Sequence, residues 1–467
     1  MDECQGYAGP RGDAARGAAI AAGQAGQNAV ISEPLVFIGT CDLAGLVRGK
    51  GFPAADLPAR LTKGIGLTHS NIMMSPQGPI YDTPFGTLGD LMLAPDESTK
   101  VEVDFQDGAA AERFYLGDIL TTDGAVWECC PRDFLRRALA ALDQATGQRG
   151  IALLAAFEQE FAYTGAEPRP GATYALDAWR RQGSFGEIYM AALRAAGVAP
   201  DSFLPEYGSC QYEVTLAPER GLRAADAAVI QREMARATAH RLGHRAIFAP
   251  ILDPAGIGNG THIHFSLRDG DDAPVMYDAA RPYRLSVLGE QFVAGVLHHL
   301  PALAAVTAPS PVSYIRLRPN RWAPTWANVG VQDRGAAIRI CPIFGHDAAA
   351  QQFNVEYRVA DAAASPYLAL GALIWAGADG IRNRRALPPM PVKSFWDMSD
   401  DERAAAGGRG LPRSLAEALD LLAASDAARE WFGAAFLHVY LRFKRAELNA
   451  VEGLSEADLC ARYAEIY

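Results

Sequence analysis

One stretch constrains this chain more than any other. Ile151-Ala152-Leu153-Leu154-Ala155-Ala156-Phe157 runs straight into Glu158-Gln159-Glu160-Phe161. A short continuous apolar run reads as a buried strand. Residues i and i+2 of a strand face the same way, so Glu158 and Glu160 stand side by side at the edge of a core. Two anions so placed repel unless a cation lies between them or one takes up a proton. A strand end running out into solvent satisfies the same pattern, and this segment alone leaves both readings open.

Three further segments bear on the choice. Gly256-Ile257-Gly258-Asn259-Gly260 leads into Thr261-His262-Ile263-His264-Phe265-Ser266-Leu267, a strand with His262 and His264 on one face. Its histidines are two apart, unlike the four-residue helical spacing of a zinc protease, and the glycines permit close backbone approach. Pro205-Glu206 and Gln211-Tyr212-Glu213 flank a turn around Gly208; taken alone they read as a loop glutamate and a strand glutamate. Arginines then cluster in a loop-like stretch around Arg316 and Arg318, in Asp333-Arg334-Gly335-Ala336-Ala337-Ile338-Arg339-Ile340, and in Glu356-Tyr357-Arg358. Guanidinium groups alternating with apolar residues match phosphate and carboxylate oxygens better than they match a solvated face. Glutamates with an imidazole suit Mg²⁺ or Mn²⁺ rather than zinc, and two such ions flanked by arginines are the apparatus of phosphoryl transfer.

The 467 residues exceed one ordinary core, so two domains or one large elaborated domain are expected. A formal charge of -11 argues against a general nucleic-acid binder. No segment approaches the ~18 uninterrupted apolar residues of a membrane span. The seven cysteines include no CxxC pair and read as reduced thiols of a cytoplasmic protein. Residues 1–33 read as a disordered Ala/Gly-rich extension. From Pro34 to residue 130 short β-like runs such as Leu91–Pro95 and Lys100–Phe105 predict a small sheet domain. Pro131 opens a helix with Leu135, Leu139 and Leu142 on one face that stops at Gly147, and residues 131–467 form the larger domain. Helices are predicted near Ala224–Leu242, Pro366–Arg382, Leu415–Ala424 and Ala427–Leu441. Strands and helices do not alternate regularly, so the fold class is α+β.

In this order, Glu158-Gln159-Glu160-Phe161, Glu206 through Glu213, Asn259 through Leu267, and Glu356-Tyr357-Arg358-Val359-Ala360-Asp361 resemble the glutamine synthetase family. The resemblance covers the chain from about Pro34 to the C-terminus. It implies a β-grasp N-terminal domain and a catalytic domain of curved antiparallel strands with helices. It also implies active sites between neighbouring subunits of a homo-oligomeric ring, usually a dodecamer. By resemblance, Glu160, Glu206 and Glu213 hold one metal, and Glu158, His262 and Glu356 hold another. Arg316 and Arg358, with Gly258, bind the substrate carboxylate; Arg334 and Arg339 contact phosphates, and His264 and Ser266 lie near the nucleotide. Arg316, Arg339 and Trp322 are the catalytic candidates. Two or more Mg²⁺ or Mn²⁺ ions are implied, with ATP as co-substrate.

Four positions depart from the family pattern. Trp322 stands where ammonia-using members carry a glutamate, and Thr68 where an aspartate is expected near ammonium. An indole cannot accept a proton from ammonium but can pack against an organic substituent. Ile257 replaces a substrate-contacting asparagine, and Asn354 a phosphate-contacting arginine. The loop Pro389–Trp396 has no tyrosine for regulatory adenylylation. The expectation is therefore an ATP-dependent ligase joining glutamate to an organic amine through an acyl phosphate. The alternatives are glutamine synthetase proper using ammonia, with a group such as Asp333 as base, and a non-catalytic relative.

Overall fold

A computed structural model describes residues 31–147, 150–345 and 348–467. Most of the Ala/Gly-rich extension therefore lies outside the described residues.

The apolar alternation after Pro34 folds as expected into a small mixed sheet. Its strands are β1 (Leu35–Cys41), β2 (Val47–Pro53), β3 (Ile65–Thr68), β4 (Asp90–Pro95), β5 (Val101–Val103) and β6 (Glu112–Thr121). The order is β2-β1-β6-β4-β3, with β5 also on β6. The β1 and β6 pair runs parallel and the others antiparallel, as the β-grasp expectation requires.

The run at Ala152 becomes a twelve-residue strand, β7 (Ala152–Tyr163), at the centre of a nine-stranded sheet. Around it lie β8 (Pro200–Pro205), β9 (Gln211–Leu216), β10 (Glu219–Arg220), β11 (Ala246–Ile247) and β12 (Thr261–Arg268). A separate pair, β13 (Trp326–Ala327) and β17 (Arg409–Gly410), lies outside this sheet. The main sheet is completed by β14 (Val329–Val331), β15 (Ile338–Ile340) and β16 (Val355–Tyr357). Its order is β14-β15-β16-β12-β7-β9-β8, antiparallel except at β14 and β15.

Long helices cover this framework. Pro at the first position opens both α1 (Pro131–Ala145) and, later, the almost wholly buried helix Pro366–Arg382, where the missing N–H has no cost. The predicted helix near residue 224 is α2 (Leu222–Arg241). The sequence reading passed over α3 (Val287–Thr307), whose interior Pro301 weakens the helical signal. Helix Pro366–Arg382, α4, packs against both α1 and α3. One expectation is corrected: the helix predicted over 427–441 is two, Asp426–Phe432 and Ala434–Ala450. They break at Gly433, whose φ of 78° belongs to the left-handed region. Among the described residues no helix is long and apolar enough to cross a membrane.

The small sheet is tied to the large one by a buried guanidinium. Arg132, in the first turn of α1, is fully buried. It donates to Asp96 at 3.0 Å and Asp118 at 3.1 Å beside the small sheet, and to both oxygens of Asp226 on α2 at 3.2 and 3.0 Å. Removing one member of such a network leaves buried charge uncompensated, at about 3–5 kcal/mol. Arg132→Met should therefore lower the unfolding free energy by about 3–5 kcal/mol, whereas Arg169→Met, in an exposed pair with Glu167, should change it by less than about 1 kcal/mol. Denaturant titrations followed by circular dichroism would read both.

Candidate active site

Strand register assembles the site. Glu213 on β9 lies opposite Glu160 on β7, and Glu158 lies opposite His262 on β12. His264 lies opposite Glu356 on β16, which in turn faces Arg339 on β15. Glu158, Glu160, His262, His264, Glu213 and Arg339 line one cavity of about 1050 Å³, joined by Glu206, Gly258, Ser266, Arg316, Trp322, Arg334 and Arg358. Every residue expected to bind metal, substrate or nucleotide lines it except Glu356, which is fully buried and reaches it through Arg339, Arg358 and His262. Glu158 and Glu160 do share a face, and Gln159 between them points into the core, donating to the carbonyl of Ala228 and to Gln231.

The carboxylates divide by their partners. Burial works against the ionised form of Glu158, but His262 Nδ1 at 3.1 Å and His264 Nε2 at 3.0 Å hold it well below the ordinary carboxylate range. Glu356 is buried more deeply, yet Arg358, His262 and His264 hold it at about 2; Arg339 adds an ion pair at 2.7 Å. Among the described residues, Glu206 and Glu213 have no ion pair with a histidine or arginine. Burial and the charge of Glu160 push Glu206 up to about 7. Burial and the charges of Glu158 and Glu160 push Glu213 well above its ordinary value. Burial opposes protonation of His264, but contact with Cys341 and Glu158 raises it well above an ordinary imidazole.

Such crowding is the environment a hard divalent cation relieves, and oxygen donors with imidazole suit Mg²⁺ or Mn²⁺. One ligand atom each from Glu158, Glu213 and His262 lie within 4.8 Å of one another, as do ligand atoms from Glu158, His264 and Glu356. Glu158 belongs to both groups. His264, expected only near the nucleotide, stands in the second, and its Nδ1 also meets Asn354 Oδ1 at 2.9 Å. Asn354, in place of a phosphate-contacting arginine, thus braces a histidine.

Arg316 is not in a loop, as the sequence suggested, but ends a helical turn, Ser313–Arg316. It is buried and donates to the carbonyls of Val359 at 2.9 Å and Arg358 at 3.2 Å. Gly258 is required by contact: a Cβ there would stand 2.5 Å from the Pro250 carbonyl oxygen and 2.7 Å from Arg316 Cγ. The Nε atoms of Arg339 and Arg358 are buried without a hydrogen-bond partner among the described residues, donors suited to an anionic ligand. Gln211, which the sequence gave no reason to single out, gathers Glu160, the Gly258 carbonyl and Asn259 at 3.2, 2.9 and 2.8 Å.

Two other expectations fall outside this cavity. Thr68 lines a separate hollow of about 350 Å³ in the small sheet. Asp333, the alternative base, accepts from the Ser394 hydroxyl and the Gly335 N–H and lines another recess. Trp322 lies in the cavity wall, stacked on Tyr207 with ring centroids 5.0 Å apart.

Residues 128–463 match the glutamine synthetase catalytic domain and residues 27–127 match the glutamine synthetase N-terminal domain. The chain belongs to the glutamine synthetase family, ATP-dependent ligases that form carbon–nitrogen bonds and generally use divalent metals. It is 34% identical over 454 residues to γ-glutamylpolyamine synthetase GlnA3 of Streptomyces coelicolor, covering 92% of each chain. It is 30% identical over 430 residues to glutamine synthetase of Pyrococcus furiosus, covering 88% of this chain and 89% of that one. The crystal structure of a novel glutamine synthase homolog superposes with a TM-score of 0.86 at 40% identity, over 94% of this chain and 100% of that one.

Two outcomes follow from the geometry. Glu206 binds its proton more tightly folded than unfolded, so it makes the metal-free protein less stable as pH rises from about 4.5 to about 7. Cation binding competes with that proton, so Mg²⁺ should raise the melting temperature more near pH ~8 than near pH ~6. Equal gains by calorimetry would contradict this. Gly258→Ala, by displacing Arg316, should lower kcat/KM for the carboxylate substrate by about 100-fold, the scale of a 1 Å misplacement.

Proposed function

We propose that this protein joins glutamate to an organic amine at the expense of ATP, forming a γ-glutamyl amide through an acyl phosphate. The observation that carries the reading is Trp322. The resemblance puts a glutamate at this position in ammonia-using members; here an indole stacked on Tyr207 offers apolar surface and no proton acceptor. The name of the Streptomyces relative points the same way.

The remaining roles follow from charge and placement. Arg316 and Arg358 hold the carboxylate of the substrate. Arg334, exposed in the cavity wall, and Arg339, braced by Glu356, meet the phosphates and the transferred group. The substrate carboxylate attacks the γ-phosphorus and ADP leaves; the neutral amine nitrogen then attacks the acyl carbon, the bond to phosphate breaks, and the departing phosphate takes up the proton that the nitrogen loses. Two divalent ions, one held by Glu160, Glu206 and Glu213 and one by Glu158, His262 and Glu356, would supply charge neutralisation at the phosphates. Gln211 fixes Glu160, and Asn354 fixes His264. His264 and Ser266 lie on the nucleotide side.

We read the assembly as a homo-oligomeric ring, a dodecamer in the cytoplasm. Thr68 supports this, because in one chain its strand end stands apart from the catalytic cavity. Light scattering should return about twelve times the 49.9 kDa chain mass.

ADP release measured with glutamate and a panel of amines tests the reaction. Saturation by an organic amine at concentrations where ammonium is inert is expected. Efficient turnover of ammonium with no amine preferred would establish the second reading, glutamine synthetase proper, which the Pyrococcus relative carries in its name. Glu158→Ala should abolish ADP release in either case.

A further inference from the structure

A second hollow, of about 460 Å³, lies apart from the catalytic cavity and shares no lining residue with it. Its walls come from α3, from Ala327 and Arg409 on the β13 and β17 pair, and from the loop that follows α4. Hollows of about 300–1,000 Å³ accept small molecules. Arg385, Arg409 and His298 are its charged or titratable lining, and among the described residues no carboxylate, thiol or hydroxyl lines it. In a chain with a formal charge of -11, this is a local reversal of sign.

The two guanidinium groups are anchored with donors to spare. Arg385 donates from Nε to Asp379 at 3.1 Å. That carboxylate is shared with His299 Nε2 at 2.9 Å and with Arg382 at 3.9 Å, so one anion serves several cations. Arg409 donates from Nη2 to the carbonyls of Leu297 and His298 at 3.1 and 3.2 Å, and it has no ion pair among the described residues. Both Nη groups of Arg385, and Nε and Nη1 of Arg409, have no hydrogen-bond partner among the described residues. Burial, then the charges of His299, Arg385 and Arg409, push the His298 imidazole below its ordinary range, while Asp379 opposes them. Positive charge in excess of negative has that effect on an imidazole. Asn328, also in the lining, accepts from the Ala337 N–H at 3.0 Å through Oδ1; its Nδ2 is buried without a hydrogen-bond partner among the described residues. Leu297, Met390 and Phe395 add apolar wall beside these groups.

We propose that this hollow is a non-catalytic binding site for a small phosphate monoester, its dianion held by Arg385, Arg409 and His298 and its organic body laid against Leu297, Met390 and Phe395. Guanidinium forks match phosphate oxygens in bidentate fashion, and a phosphate monoester offers three terminal oxygens to the two arginines and the imidazole. The apolar wall favours an ester over free phosphate, because a bare ion would leave that surface in water. Nothing here is arranged to attack a bound ester: carboxylate, thiol and hydroxyl groups are missing from the lining, and His298 has no ion pair among the described residues to orient it. The site does not depend on which nucleophile the catalytic cavity accepts.

Isothermal titration of the full chain with phenyl phosphate, inorganic phosphate and phenol tests the site. The titrations are run at constant ionic strength, with the catalytic cavity filled by glutamate and a non-hydrolysable Mg²⁺-ATP analogue so that its own arginines are occupied. Phenyl phosphate should bind with a Kd below about 1 mM. Inorganic phosphate should bind at least about threefold more weakly, and phenol should give no measurable heat. Arg385→Gln and Arg409→Gln, with folding checked by thermal melts, should each weaken phenyl phosphate by at least about tenfold. Arg409→Lys should retain part of the affinity. Arg384→Gln removes the same charge from an exposed neighbour outside the lining and should change the Kd by less than about twofold. No binding by the wild-type chain, a Kd that both glutamine variants leave intact, or equal weakening by Arg384→Gln overturns the site. Inorganic phosphate binding as tightly as phenyl phosphate overturns the monoester and assigns the hollow to free phosphate.

Discussion

The pairing of β7 with its neighbours is the constraint on which everything else depends. Side chains alternate along a strand, so a slip of one residue between β7 and β12 would send Glu158 and Glu160 into the core and bring Gln159 out. The register is defended from the other face. Gln159 is fixed to Gln231 and Ala228 on α2, and Phe157 and Phe161 are buried on either side of the carboxylates. The apolar alternation that builds the core thus also aligns four glutamates and two histidines in one line. No loop has to find its place for that half of the site to exist.

The electrostatics inside that line are uneven in an informative way. Glu158 and Glu356 are charged because histidines and arginines of the same sheet compensate them. Glu206 and Glu213 are buried among like charges, which together with burial push both above the ordinary carboxylate range. A site designed only for stability would pair all four or replace them. Leaving two uncompensated is tolerable because the surrounding framework is stiff: α4 is buried along almost its whole length, and Arg132 fastens the small sheet to it through α1.

Much of this was legible in the sequence because it rests on local patterns. The apolar run before Glu158, the glycines before Thr261, and Pro131 each carry a local physical meaning, and each marks the element found. The misses have the opposite character. Gly433 breaks a helix whose apolar periodicity continues through it, and Pro301 sits inside one that packing holds together regardless. The turn that buries Arg316 depends on carbonyls of residues 358 and 359, far along the chain. The brace from Asn354 to His264 and the stack of Tyr207 on Trp322 join positions far apart in the chain, with no periodic signal. Contacts that exist only after folding leave no local trace.

The loops that carry Tyr207 and Trp322 give the molecule an unequal capacity for change. The acid-activating half of the site is written into strand register, where almost any substitution disturbs several neighbours at once. The ring-bearing half hangs from loops whose aromatic side chains are partly exposed to water. On the proposed division of roles, selection, natural or in the laboratory, can rewrite which nucleophile is accepted without reopening the question of how the acid is activated. A lineage built on this scaffold would diversify its partners first and its energy coupling last.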